Sequence, residues 1–197
     1  MSNAGKTLFI SDLHLDADLP AITQCFLNYI ETAAGSDALY ILGDFFEVWV
    51  GDDDRNQLTD TVAQALQTLA ASGTKIYLMH GNRDFLLGKA YAERCSAQLL
   101  DDPTVIDCYG QKIVLMHGDS LCTRDVEYMK FRKRVRSERG QTDFLERSLV
   151  ERNMIAQKHP HRMRKMLLYV LRIPMAGLNG WLSRCCWMLS RLAPHYR

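Results

Sequence analysis

Apolar runs of strand length recur along the chain, and each leads directly into a short polar cluster. Thr7–Ile10 runs into Ser11-Asp12-Leu13-His14, and Ala38–Leu42 into Gly43-Asp44-Phe45-Phe46-Glu47. Lys75–Met79 runs into His80-Gly81-Asn82-Arg83-Asp84, and Lys112–Met116 into His117-Gly118-Asp119. Short apolar runs bounded by turn residues predict buried strands. Between them, spacing at helical period predicts a helix over Leu19–Ala33, with Ile22, Phe26, Leu27 and Ile30 on one face. A second is expected over Leu58–Ala71, carrying Val62, Ala65, Leu66 and Leu69 and closed by Gly73, and a third over Leu86–Arg94. Gln98–Leu100 and Thr104–Cys108 read as further strands, the latter joined to Lys112–Met116 through a hairpin at Tyr109-Gly110. Alternating strands and helices followed by adjacent strands predict the α+β class. The expected form is a sandwich of two mixed β-sheets flanked by helices, rather than a pure dinucleotide-binding fold.

After Asp125 the pattern changes. Val126–Arg136 predicts a basic helix with Tyr128, Phe131 and Val135 as apolar spots, and Asp143–Gln157 a further helix. The organisation expected is a core over 1–125, a basic helical cap over 126–158, and a basic tail over 159–197. The near-neutral total of +1 conceals this division. Residues 1–123 carry 7 Lys/Arg against 17 Asp/Glu, whereas residues 124–197 carry 17 against 6. An acidic core suits cations, and a basic segment suits an anionic ligand or surface.

Six cysteines at 25, 95, 108, 122, 185 and 186 form no CxxC pair, so free thiols in a reducing cytoplasm are expected. No signal peptide is predicted at the start, and no apolar run reaches the length of a membrane-spanning helix.

The four polar clusters carry the candidate chemistry. Carboxylates, imidazoles and an amide recur at strand ends, where ligands bind in open sheets. Asp12-x-His14, Gly43-Asp44, Gly81-Asn82 and His117-Gly118 supply oxygen and imidazole donors suited to hard or borderline divalent ions. Two such ions close together suit phosphate-ester hydrolysis. Singly, each cluster is explained as well by turn or capping chemistry; all four in order at successive strand ends are not. Other residues have plainer readings. His80 suits a buried or supporting role, Asp52-Asp53-Asp54 a solvated loop, and Asp84 either pairing with Arg83 or capping a turn. Cys122 has no base placed near it by sequence. The basic stretch Lys130–Arg139 lacks aromatic stacking partners for nucleic acid, and a membrane-surface role ranks above it.

Together, Asp12-x-His14, Gly43-Asp44-x-x-Glu47, Gly81-Asn82-Arg83-Asp84 and His117-Gly118-Asp119 resemble the successive signature blocks of calcineurin-like metallophosphoesterases. The longer strings Ile41–Trp49, Gly51–Asp54, His80–Gly88 and His117–Thr123 resemble the branch that hydrolyses UDP-2,3-diacylglucosamine in bacterial lipid A biosynthesis. The resemblance covers residues 7 to about 157. It implies two divalent metal ions, manganese by family precedent. One would be held by Asp12, His14 and Asp44, and the other by Asp44, Asn82 and His117, with Asp44 bridging. Arg83 stands where the wider superfamily carries His, and would grip and neutralise a diphosphate. Asn82, Arg83 and Asp125 would contact the substrate, a UDP-linked diacylglucosamine lipid cleaved to UMP and 2,3-diacylglucosamine 1-phosphate. The location implied is cytoplasmic and peripheral on the anionic inner-membrane surface, with no nucleic acid as partner. A generic metal-dependent phosphodiesterase is the alternative within the same chemistry.

The sequence departs from the family in two respects. The substrate-binding run of Ser, Asn and Lys in the family's helical cap is not recognisable past Lys158. The fifth block, Gly-His-x-His, is also missing. His159-Pro160-His161 lacks its glycine and its preceding apolar strand. After Glu151 no acidic residue occurs through Arg197, a span of 46 residues holding nine Lys/Arg. A divergent membrane-facing tail and a frame change near Lys158 both account for this, and the frame change is the reading favoured here. A third outcome follows from either: a chain that binds metal or substrate without turnover.

Overall fold

The computed structural model of the chain describes residues 5–158. Within them, β1 (Thr7–Ile10), β2 (Ala38–Leu42), β3 (Lys75–Met79) and β4 (Ala97–Leu100) form one sheet in that spatial order. All three pairings are parallel, with Phe9, Tyr40 and Tyr77 in register across it. Parallel neighbours need crossover connections, and three helices supply them: α1 (Pro20–Thr32), α2 (Gln57–Ala71) and α3 (Lys89–Arg94). A second sheet is the antiparallel hairpin of β5 (Thr104–Cys108) and β6 (Gln111–Leu115). The α+β class is therefore found. The two expected mixed sheets are, among the described residues, one parallel sheet and one antiparallel hairpin, because every connection between β1 and β4 contains a helix.

Side-chain alternation along the central strands sorts the two faces of the sheet. Leu39 and Ile41 of β2 join a core with Phe26 and Ile30 of α1 and Val62, Leu66 and Leu69 of α2. Tyr40 and Leu42 face the other way, into a smaller core with Met79, Ile106, Ile113 and Leu115, under the hairpin. On that side Phe9, Tyr40 and Tyr77 stack in a row, with centroids 5.1 and 4.6 Å apart.

Local chemistry explains the boundaries. Proline opens α1 at its first turn, where no hydrogen bond is lost. Asn56 and Thr59 cap α2 reciprocally, side chain to backbone N–H, at 3.0 and 3.2 Å. Tyr109 and Gly110 both have positive φ, at 53° and 83°, as a tight two-residue hairpin turn requires.

Two helices differ from expectation. Leu86 and Leu87 stay outside α3, because Asp52 on a distant loop accepts the backbone N–H groups of Gly88 and Tyr91 and fixes the helix start there. The expected helix Asp143–Gln157 is two helices, α5 (Glu138–Leu145) and α6 (Leu149–Lys158). Between them Ser148 and Glu151 form a reciprocal cap: the Ser148 backbone N–H donates to Glu151 Oε2 at 3.0 Å, and the Glu151 backbone N–H to Ser148 Oγ at 3.3 Å. The helix α4 (Val126–Val135) lies as expected, capped by Asp125, whose carboxylate accepts the Tyr128 backbone N–H at 2.9 Å. Residues 159–197, including His159, His161 and the basic tail, lie outside the described residues.

Candidate metal centre

The loops after β1 and β2 stay paired beyond the strands. Asp12 and His14 donate their backbone N–H groups to the carbonyls of Gly43 and Asp44 at 3.1 and 2.9 Å, and Leu15 donates to Phe45 at 2.9 Å. The two loops therefore advance side by side as the strands do. Asp12, His14 and Asp44 all hold positive φ, at 55°, 49° and 50°. Non-glycine residues rarely adopt this region, and where they do the surroundings enforce it. The result is one group: Asp12, His14 and Asp44 each offer a ligand atom within 4.8 Å of the others. Asp12 is exposed at the mouth of this group, whereas Asp44 is 2% exposed at its base.

The loop after β3 packs beneath it. A Cβ on Gly81 would lie 2.1 Å from the Asp44 nitrogen, and one on Gly43 would lie 2.6 Å from Gly81 Cα and 2.7 Å from His117 Nδ1. Only two glycines allow this approach. Asp84 is fully buried and secures the contact, accepting the Gly81 and Phe45 N–H groups at 2.7 Å each. Of its two expected roles, turn capping is the one found. Arg83 donates its backbone N–H to Asp44 Oδ1 at 2.9 Å.

His117, from the loop after β6, closes the set. Its Nδ1 lies 3.0 Å from the Leu42 carbonyl, which can only accept, so Nδ1 carries the proton. In the neutral ring Nε2 then presents a lone pair. That lone pair lies 3.1 Å from Asn82 Oδ1 and 3.7 Å from Asp44 Oδ1. In that tautomer three acceptors converge.

His14 shows the same deficit. Its Nδ1 sits 2.9 Å from Glu47 Oε2, while Nε2 is buried without a hydrogen-bond partner, 3.8 Å from Asp44 Oδ2. Burial alone pushes His14 below its ordinary value, but the Glu47 contact and the charges of Asp44 and Glu47 outweigh it and hold the ring above. Asp44 is pushed up to about 6, first by burial and further by Asp84, against the opposing pull of His117 and the Arg83 N–H. A divalent cation answers each of these deficits at once, since oxygen and imidazole lone pairs are its donors and its charge reverses the penalty on Asp44.

The sequence matches the calcineurin-like phosphoesterase family over residues 5–168. The chain belongs to this family. Among curated relatives, UDP-2,3-diacylglucosamine hydrolases of Marinobacter nauticus and Xanthomonas campestris are each 54% identical over 153 residues, 77% of this chain. The enzyme of that name from Pseudomonas aeruginosa is 56% identical over 133 residues, 67% of this chain. The chain spans 63%, 62% and 55% of the length of these three proteins. Among solved structures, a Pseudomonas putida nuclease, MPE, aligns at a TM-score of 0.40 and 21% identity, covering 50% of this chain and 49% of that one; a likeness so slight carries no argument.

Calcineurin-like phosphoesterases use divalent metal ions, and the Asp12, His14 and Asp44 group offers a site for one. Five sequence-predicted residues, Asp12, His14, Asp44, Asn82 and His117, are joined by these contacts. Arg83 lies alongside, its guanidinium 4% exposed, with Nη1 3.0 Å from Glu47 Oε1 and Nε without a partner. Asp125 is exposed at the start of α4, and no contact among the described residues joins it to the cluster.

Two contributors were not singled out by sequence. Glu47 uses one oxygen toward His14 and the other toward Arg83; its place in Gly43-Asp44-x-x-Glu47 was the only signal. Asp119 is 1% exposed and gathers Tyr128, Arg132 and Arg136 of the region after Asp125. His80 supports the loop with Nε2 2.6 Å from the Leu87 carbonyl. The acidic loop is not simply solvated: Asp52 anchors α3 and Asp53 pairs with Arg152. Among the described residues no helix is long and apolar enough to cross a membrane.

Proposed function

We propose that this chain hydrolyses the pyrophosphate bond of UDP-2,3-diacylglucosamine, releasing UMP and 2,3-diacylglucosamine 1-phosphate for lipid A biosynthesis. The observation that carries the reading is the convergence of His117 Nε2, Asn82 Oδ1 and Asp44 Oδ1 beside the Asp12, His14 and Asp44 group. One divalent ion is assigned to Asp12, His14 and Asp44, and a second to Asp44, Asn82 and His117. Manganese suits the mixed oxygen and imidazole set. Such ions supply water activation at neutral pH and neutralise charge at phosphorus.

The chain's own residues do the rest. Asp44 spans both positions and is oriented for this by the Arg83 N–H. Arg83 is assigned as the catalytic cation: Glu47 fixes its Nη1, and the guanidinium charge beside the group would offset the charge that develops on the diphosphate. Asn82 and Asp125 are assigned to substrate binding from the family resemblance, Asp125 from the start of α4. The curated relatives named for this hydrolysis support the substrate assignment.

The protein is assigned to the cytoplasmic face of the inner membrane as a peripheral protein. Arg132 and Arg136 are engaged with Asp119, whereas Lys130, Lys133, Arg134 and Arg139 are exposed, as are the apolar side chains Leu121 and Val126. Basic side chains beside apolar ones favour an anionic bilayer surface. Salt-sensitive flotation with anionic liposomes is expected, and its absence would remove the membrane assignment.

The activity is tested by UMP release from UDP-2,3-diacylglucosamine with manganese, set against a generic aryl phosphodiester. UMP release lost in Arg83→Ala is the expected result. Preference for the aryl diester would instead make the chain a generic phosphodiesterase. Metal binding with no hydrolysis of either would make it a binding remnant.

A further inference from the structure

The helix α4 is held in an unusual way. None of its residues is fully buried, and its apolar side chains Tyr128, Phe131 and Val135 are only half-buried. An amphipathic helix ordinarily docks by burying an apolar stripe. Here the attachment is polar and centred on one atom. Asp119 Oδ2 receives Tyr128 Oη at 2.9 Å, Arg132 Nε at 2.8 Å and Arg136 Nη2 at 3.0 Å. The carboxylate has no side-chain exposure, and the two guanidiniums are 19% and 17% exposed.

The same cations reach the metal-centre loops. Arg136 Nη2 also donates to the carbonyl of Gly81, the residue before Asn82, at 2.8 Å. Arg132 Nη2 lies 3.6 Å from Asp102 Oδ2, and Asp102 Oδ1 accepts the backbone N–H of His117 at 3.3 Å. Asn82, Phe85, Phe131 and Val135 line one small cavity beside these ties. One carboxylate thus joins α4 to the loops carrying Asn82 and His117.

We propose that Asp119 is a positioning residue. Through Arg132 and Arg136 it fixes α4 against the loops of Asn82 and His117, and so sets the placement of those two side chains without touching either. This rests on the reading of Asn82 and His117 as metal ligands. A buried carboxylate with three donors leaves those donors uncompensated when its charge is removed, so loss of the latch releases the helix as a unit. The supporting residues of a metal site commonly change affinity about 10- to 100-fold when altered.

The test uses the 197-residue chain, its Asp119→Asn variant and an Arg136→Gln variant. Amide hydrogen exchange is followed by mass spectrometry, and manganese affinity by calorimetry. For Asp119→Asn, exchange over 126–135 should rise by about tenfold or more, with strands 38–42 and 75–79 unchanged. Manganese affinity should fall about tenfold. Arg136→Gln keeps Asp119 paired with Tyr128 and Arg132 but severs the tie to Gly81, and should weaken manganese binding with less effect on exchange.

Unchanged exchange over α4 would overturn the latch, and faster exchange with unchanged manganese affinity would overturn positioning. If Asp119→Asn raises exchange throughout the core, Arg136→Gln decides: weaker manganese binding supports the proposal, and wild-type behaviour overturns it. A wild-type chain that binds no manganese would defeat the metal reading and positioning with it, while the exchange data would still decide the latch.

Discussion

His117 Nε2 and Asn82 Oδ1 face each other across 3.1 Å, and in the neutral tautomer that donates Nδ1–H to the Leu42 carbonyl both atoms are acceptors. Two acceptors held this close repel unless a cation lies between them. The fold accepts that repulsion where backbone hydrogen bonds pair the loops after β1 and β2, and the Asp84 and Asp44 carboxylates tie the loop after β3 to them. The deficit is built in by these loop contacts, and a divalent cation relieves it.

Glu47 should matter to the centre although it is not assigned as a ligand. Its carboxylate lies 2.9 Å from His14 Nδ1 and 3.0 Å from Arg83 Nη1. Glu47→Gln keeps the shape but removes the charge that orients both. Manganese affinity is expected to drop about 10-fold or more, with unfolding by urea little changed. Calorimetry and a urea titration, run on the same preparation, check both halves; full metal affinity would show that Glu47 does not orient His14.

Gly81 should tolerate no side chain. An added Cβ would stand 2.1 Å from the Asp44 nitrogen, a backbone atom that cannot move without dragging the ligand loop. Gly81→Ala is expected to cost about 1–3 kcal/mol in urea denaturation, as overpacking does, and to weaken metal binding as well. A variant of wild-type stability would mean that the two loops are not packed this tightly.

The Asp53–Arg152 pair gives a pH signature. Arg152 is 3% exposed, on α6, and reaches the Val50 carbonyl at 2.6 Å and Asp53 Oδ1 at 2.8 Å. Its hydrogen bond holds the Asp53 carboxyl below the usual carboxylate range, against a smaller opposing effect of burial. A depressed folded-state value means stability that is present above the unfolded value, about 3.9, and lost as the pH falls through the folded one. The difference in Tm between wild type and Asp53→Asn should be full at pH 6 and close as the pH drops below about 4. A difference that persists unchanged into strong acid would contradict the assignment.

Much of the fold was legible because its signals are local. The spans Thr7–Ile10, Ala38–Leu42, Lys75–Met79 and Thr104–Cys108 are strands with the bounds their apolar runs imply. Asp12, His14, Asp44, Asn82 and His117 could be nominated because each follows such a run. What was hidden depends on partners far along the chain. Leu86 and Leu87 look helical until Asp52 takes the Gly88 and Tyr91 N–H groups. Asp119 looks like one more turn residue until Arg132 and Arg136 close on it. The break at Ser148 is different, since Ser148-x-x-Glu151 is a helix-start signal written in the sequence that outweighs the longer periodic run around it.

The frame change near Lys158 expected from the sequence has its own test, since residues 152–197 contain no acid. Sequencing the DNA from the codon for Lys158 to beyond that for Arg197 should reveal Gly-His-x-His in another frame. Its absence from all frames would make the basic tail a genuine part of the protein.

A calorimetric manganese titration of the 197-residue chain beside its Asp44→Asn variant tests the metal centre itself. Asp44 is the carboxylate assigned to both ions, so the wild type should bind manganese and the variant should lose binding at both positions, with its circular dichroism spectrum unchanged. No manganese binding by the wild type, or equal binding by a folded Asp44→Asn variant, would contradict the metal centre described here.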